Sequence, residues 1–282
     1  MSNWKDGFVD TNGIKIHYYR TGGDKPQVIL NHGAMDDGLC WTRVAKQLEA
    51  DYDVIMFDAR GHGMSDSGEG DYTSASRAAD LIGAIEALEL DKPVIGGHSM
   101  GADTSIYAAA LRPDLINGMY MEDPPVTFPG EPIFGGPLAE KGDDAAKMMV
   151  RIMGTVKVLP KFLSRIIAKK MMPVSPDDEI TPWLNSKKRM SWDFLKAMTQ
   201  PHVMESEATL NILEKIEARA MLIYGDRDTG AIVSHAISEE MSKRIDGLRV
   251  VHLAGANHDI RRAKFEGYMT ALKSFLSDIR DN

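Results

Sequence analysis

A single cysteine, Cys40, stands among 282 residues, so no internal disulfide can form and no thiolate cluster of the structural-zinc type is available. Such a chain suits a reducing cytosol. No run of 18 apolar residues occurs, and Met1 to Asp10 lack the apolar core of a secretion signal, so neither a membrane span nor a leader is expected. Net positive charge is also missing. The formal charge of −8 argues against nucleic acid as the main partner, because a polyanion needs an attractive surface. With 43% hydrophobic and 26% charged residues, composition is ordinary for a globular chain and leaves no room for a long disordered tail.

What is present is an alternation. Short β-rich runs (Ile14 to Tyr19, Val28 to Leu30, Val54 to Phe57, Val94 to Ile95, Gly118 to Met121, Ala220 to Tyr224, Val250 to Leu253) are separated by helical patterns, which predicts βαβ units. Val54-Ile55-Met56-Phe57 is apolar without a period of two, the pattern of a strand covered on both faces, so a mostly parallel sheet follows. Helices are expected over Trp41 to Leu48 and Ala75 to Leu90. The second carries Ala79, Ile82, Ile85 and Leu88 on one side, with candidate caps at Thr73, Ser74 and Ser76. After Met121 the alternation stops, and about eighty residues up to Ala218 read as turns and methionine-rich helices (Met148, Met149, Met153, Met171, Met172, Met190, Met198). One domain with an insertion is the expected organisation: core 1–123 and 219–282, helical cap 124–218.

The strongest chemical signal is Gly97-His98-Ser99-Met100-Gly101, between a strand-like run and a helical one. That context fits a nucleophile elbow, where Ser99 sits on a strained turn and the flanking glycines avoid collision with neighbouring backbone. Oxyanion donors are expected from the Ala34 N–H, in the His32-Gly33-Ala34 loop after Val28 to Leu30, and from the Met100 N–H at the start of the helix. His32 itself reads as structural. His258 follows the last strand and is the expected base, whereas His17, His62, His98, His202, His235 and His252 read as structural or solvated. For the acid, Asp228 in Gly225-Asp226-Arg227-Asp228 follows the penultimate strand, which yields the chain order Ser, Asp, His. Glu122, ahead of Asp123, is the alternative.

These segments, with Asp58-Ala59-Arg60-Gly61-His62-Gly63-Met64-Ser65, resemble an α/β-hydrolase of the esterase, haloperoxidase and lactonase type. The resemblance implies the α/β-hydrolase fold: a mostly parallel eight-stranded sheet flanked by helices, with a helical cap between strands six and seven. It also ties Glu122 to a lactonase-like Glu-x-Pro pattern and makes the Arg60 to Ser65 loop a structural family marker. The function so implied is hydrolysis of a small, apolar carboxylic ester or lactone through an acyl-enzyme on Ser99, without metal or organic cofactor. Perhydrolase, carbon–carbon hydrolase and acyltransferase use the same triad and stay open, as does a triad-retaining ligand receptor. No nucleic acid partner is expected, and homo-oligomerisation is left open.

One further pattern stands apart. Lys157, Lys161, Arg165 and Lys169 recur every four residues beside Val158, Phe162 and Ile166. A helix of that kind can lie on anionic lipid. Because Pro160 interrupts the segment and the chain is acidic, the preferred reading is a solvated outer face of a cap helix.

Overall fold

The computed structural model describes residues 4–141, 144–172, 176–200 and 206–281. His202, one of the histidines set aside above, lies outside them. Eight strands form one sheet in the order β1-β2-β4-β3-β5-β6-β7-β8. They are β1 (Lys5–Thr11), β2 (Ile14–Arg20), β3 (Gln27–Asn31), β4 (Asp53–Phe57), β5 (Val94–His98), β6 (Gly118–Glu122), β7 (Arg219–Tyr224) and β8 (Arg249–His252). The pairs β1–β2 and β2–β4 are antiparallel and every other pair is parallel.

The sheet is covered on both faces, as the apolar strands require. In β4, Ile55 and Phe57 join one core with Ala78 and Leu81 of α2 (Ser74–Ala87), Ile106 of α3 (Met100–Leu111) and residues of α9 (His235–Arg244). Val54 and Met56 join the other, with Val44 and Leu48 of α1 (Thr42–Leu48) and Leu272 and Phe275 of α11 (Phe265–Arg280). Thr73 caps α2 by accepting from the Ser76 N–H. The buried side of α2 is not the side its apolar spacing suggests: Arg77, Ala78, Asp80, Leu81, Ala84 and Ile85 face inward, while Ala79, Ile82 and Leu88 are only partly covered. Two buried ion pairs account for the rotation. Arg60 forks onto Asp80 at 2.6 and 2.7 Å, and Arg77 meets Asp103 at 2.7 Å.

Between β6 and β7 the chain leaves the sheet and builds a helical cap: α4 (Asp144–Val158), α5 (Lys161–Met171), α6 (Asp177–Arg189), α7 (Trp192–Ala197) and α8 (Ser206–Ile212). Its own apolar core, which includes Met153, Val156, Trp183, Leu184, Met190 and Phe194, continues into Met100 of the sheet domain. Polar contacts pin it down: Ser186 Oγ donates to the Met35 carbonyl at 3.1 Å, Ser191 N–H donates to the Gly61 carbonyl at 2.7 Å, and Arg189 pairs with Asp37. After β8, α10 (Ile260–Ala263) and α11 close the fold.

Candidate active site

Ser99 joins β5 to α3 with φ 51° and ψ −119°, a conformation that costs a β-carbon-bearing residue free energy and survives where the surroundings over-determine it. Here they do. Ser99 N–H donates to the Glu122 carbonyl of the adjacent strand at 2.9 Å. A β-carbon on Gly97 would lie 2.2 Å from the Asn31 carbonyl oxygen, and one on Gly101 would lie 2.1 Å from the same atom. The turn is thus packed against the end of β3 so closely that only glycine fits on either side of it.

The loop after β3 faces this turn. The Gly33 carbonyl accepts from Asp36 N–H at 3.0 Å and from His32 Nδ1–H at 2.8 Å, while His32 Nε2 accepts from Ala59 N–H at 2.9 Å. His32 is therefore the neutral Nδ1–H tautomer. Because the peptide is planar and trans, pinning the Gly33 carbonyl directs the Ala34 N–H the opposite way. The Met100 N–H, in the first turn of α3, has no acceptor within its own helix. Gly33, Ala34, Ser99 and His258 all line one pocket.

His258 follows β8, and its Nδ1 lies 2.6 Å from an oxygen of Asp123. This differs from the expected pairing with Asp228. Asp123 stands one residue past β6 with φ 43°, so the backbone turns out of the sheet there and lifts the carboxylate to the imidazole. Its two oxygens also accept the backbone N–H groups of Ile232 and Val233 at 2.8 and 2.9 Å, and three bonds fix its orientation. Asp228 sits in a turn over Arg227–Thr229 and is exposed. That turn is held in place because Asp226 N–H and Thr229 Oγ1 both donate to the Ala256 carbonyl, at 2.8 and 2.7 Å. Within the same run, Asp226 instead braces the loop that carries His258, accepting from Gly255 N–H at 2.6 Å and lying 2.6 Å from His252 Nε2.

Glu122, the alternative acid, is fully buried and bonded elsewhere: its oxygens meet Arg261 N–H at 2.8 Å and the Arg261 guanidinium at 3.3 Å. Burial raises its carboxyl to about 7 against the pull of Arg261. Sequence reasoning also passed over a role for His98, whose Nε2–H donates to the His258 carbonyl at 2.9 Å. Burial, reinforced by the nearby His258 charge, keeps His98 well below the ordinary histidine range. It is a neutral strut between the elbow and the His258 loop. Its place directly before the serine was the available signal.

Burial works against the His258 imidazolium, but the hydrogen bond and negative charge of Asp123 outweigh it, so its pKa is raised above 6.5. A general base must be neutral to accept a proton. Activity is therefore expected to fall with decreasing pH through a value above that of free histidine. In Asp123→Asn this acid limb should move to lower pH. A kcat/KM profile of both proteins checks the shift, and an unmoved limb would show that Asp123 does not set the titration.

Six methionines, Met35, Met149, Met153, Met171, Met172 and Met198, with Phe134 and Trp183, line about 140 Å³ of open space, beside the charged Asp36, Asp259 and Arg262. Among the described residues the one lining guanidinium, Arg262, is already engaged by Asp36 at 2.8 Å, Asp259 at 2.6 Å and Glu179 at 3.4 Å.

A sheet of this order, a serine elbow after β5, a histidine after β8 and a cap inserted after β6 define an α/β hydrolase of the serine type. The chain belongs to the alpha/beta hydrolase fold family, which matches it over residues 26–260. It is 27% identical to the N-formylmaleamate deformylase of Pseudomonas putida over 280 residues, covering 96% of each chain. It is also 34% identical to an epoxide hydrolase of Caballeronia sordidicola over 131 residues, 45% of this chain and 39% of that one. The solved structure of the N-formylmaleamic acid deformylase from Pseudomonas putida S16 superposes with a TM-score of 0.80 at 21% identity, covering 95% of this chain and 100% of that one.

Proposed function

We propose that the chain hydrolyses a small, uncharged ester or lactone with an apolar acyl group, through an acyl-enzyme on Ser99. The observation that carries this reading is that Ser99 on its elbow and His258 on its carboxylate open into one methionine-lined pocket. With Nδ1–H bound to Asp123, the His258 Nε2 is left to take the Ser99 proton as Oγ attacks the carbonyl. The developing oxyanion is received by the Ala34 and Met100 N–H groups. His258 then returns the proton to the leaving group, and water repeats the cycle in reverse to release the acid. Asp123 fixes the imidazole tautomer and stabilises the imidazolium; Asp228, exposed, takes no part.

A serine at the elbow separates this chain from enzymes that form an alkyl ester on an elbow aspartate. Acyl preference follows from the pocket. Each buried methylene contributes about 0.8 kcal/mol, so kcat/KM should rise roughly three- to fourfold per CH₂ from acetyl toward hexanoyl. A carboxylate in the same place would lose its hydration with no free guanidinium or ammonium among the described lining residues to receive it. A p-nitrophenyl ester series from acetate to octanoate, with a succinate half-ester beside it, tests this. A flat series, or preference for the half-ester, would contradict the apolar reading.

An amide is the second reading. One relative that matches along nearly the whole chain is named for removing a formyl group from an N-formyl compound, and the same attack on a carbonyl cleaves a C–N bond. Its substrate's name denotes an anion, which the engaged Arg262 does not favour here. Neutral N-formyl amides in the panel separate the two.

A further inference from the structure

The outer face of the cap is unusually apolar. Of the ten large apolar side chains exposed among the described residues, five (Val158, Phe162, Leu163, Ile166 and Met171) fall within fourteen positions at and along α5. Phe162 is 68% exposed and Ile166 65%. The segment does not run as one helix through Pro160: α4 ends at Val158 and α5 begins at Lys161 with Pro160 at its N-cap, the interruption expected there, so Lys157 belongs to α4 and the other three cations of the pattern to α5. Nor do the apolar residues turn inward: the helix rests on the cap through the small residues Ser164 and Ala168 and presents its bulky side chains to solvent.

The charges on this helix have one sign. α5 carries Lys161, Arg165, Lys169 and Lys170 and no acidic residue. Among the described residues, one carboxylate, Asp177 of α6, reaches two of them, Arg165 at 3.1 Å and Lys169 at 3.3 Å. By helical geometry Lys169 and Lys170 flank the Phe162–Ile166 ridge, about 40° and 60° to either side of its mean direction. An apolar ridge bordered by lysines is complementary to anionic headgroups over acyl chains. It is poorly complementary to itself, since a two-fold pairing through α5 would set cations against cations. The whole chain carries a net charge of −8, so the molecule outside α5, which holds four of the cations and no acid, is more negative still and is repelled by such a surface.

We propose that α5 is an interfacial docking helix that lies flat on an anionic phospholipid bilayer. At eleven residues it is roughly 16 Å long, too short to span. Met171, in the last turn of α5, lines the pocket from the cap-facing side of the helix, opposite the Phe162–Ile166 ridge, so docking sets the pocket about one helix width from the bilayer surface, where apolar esters concentrate. That consequence for substrate supply rests on the hydrolase reading; the docking itself does not.

Flotation of the full chain with vesicles tests the docking without reference to catalysis. At low ionic strength the protein should float with phosphatidylglycerol–phosphatidylcholine vesicles, remain behind with pure phosphatidylcholine, and be released by high salt. Phe162→Ser with Ile166→Ser should weaken binding about tenfold or more while circular dichroism and hydrolysis of a short soluble ester stay unchanged. Lys169→Glu with Lys170→Glu should abolish it. Failure to float with anionic vesicles, or equal flotation of the variants, would overturn the proposal. So would a concentration-dependent dimer lost in Phe162→Ser/Ile166→Ser without vesicle binding, since the face would then serve a second copy.

Discussion

Replacing Asp123 by Asn should lower kcat by about four orders of magnitude with the fold intact, the scale seen when the histidine-bound aspartate of serine proteases is so changed. The amide would still fill the site and accept from one of the two backbone N–H groups of Ile232 and Val233. Its NH₂ can face Nδ1, however, and then selects the tautomer that places a proton on Nε2, where the serine proton must go. Asp228→Asn should leave kcat within about a factor of two, because Asp228 is solvent-exposed and surface changes of that kind have small effects. Glu122→Gln should alter stability more than turnover, since its side chain braces Arg261. Steady-state kinetics of the three variants on one ester check the ordering. Loss of turnover in Asp228→Asn with retention in Asp123→Asn would reverse the assignment.

Ser99→Ala should reduce kcat by about six orders of magnitude, leaving only the residual rate from the oxyanion donors and binding. Stability should change little or rise slightly. The strained φ of 51° remains for alanine, and the backbone bonds that hold the turn, Ser99 N–H to Glu122 and Asp103 N–H to the Ser99 carbonyl, do not involve the hydroxyl. Combining Ser99→Ala with Asp123→Asn should cost no more than Ser99→Ala alone, because the two side chains act as one unit. Additive losses would mean that Asp123 acts outside the serine pathway.

Much of this was legible from residue order. The β4 run Val54 to Phe57 is hydrophobic throughout because both faces of that strand are covered, and the elbow is legible because two glycines are needed where backbone approaches within a β-carbon's reach. The edge strand β1 left little trace: Lys5, Asp6, Phe8 and Asp10 are exposed, and its register is set by pairing with β2. The inward face of α2 was misjudged because its buried positions include Arg77 and Asp80, charges whose partners lie 20 or more residues away. The carboxylate on His258 was hidden for a related reason. Glu122 and Asp123 differ by one residue, and which side chain rises above the sheet depends on where β6 ends and the backbone enters positive φ. Only the three-dimensional path of Asp226 and Thr229 to Ala256 turns Asp228 outward.

The rate at which a fluorophosphonate modifies Ser99, followed by intact-protein mass and peptide mapping, tests the account most directly, because adduct formation needs the nucleophile, its base and the base's carboxylate together. Wild type and Asp228→Asn should label rapidly at Ser99, Asp123→Asn slower by orders of magnitude, and Ser99→Ala not at all. Equal labelling of Ser99→Ala, or slow labelling of Asp228→Asn beside rapid labelling of Asp123→Asn, would contradict it.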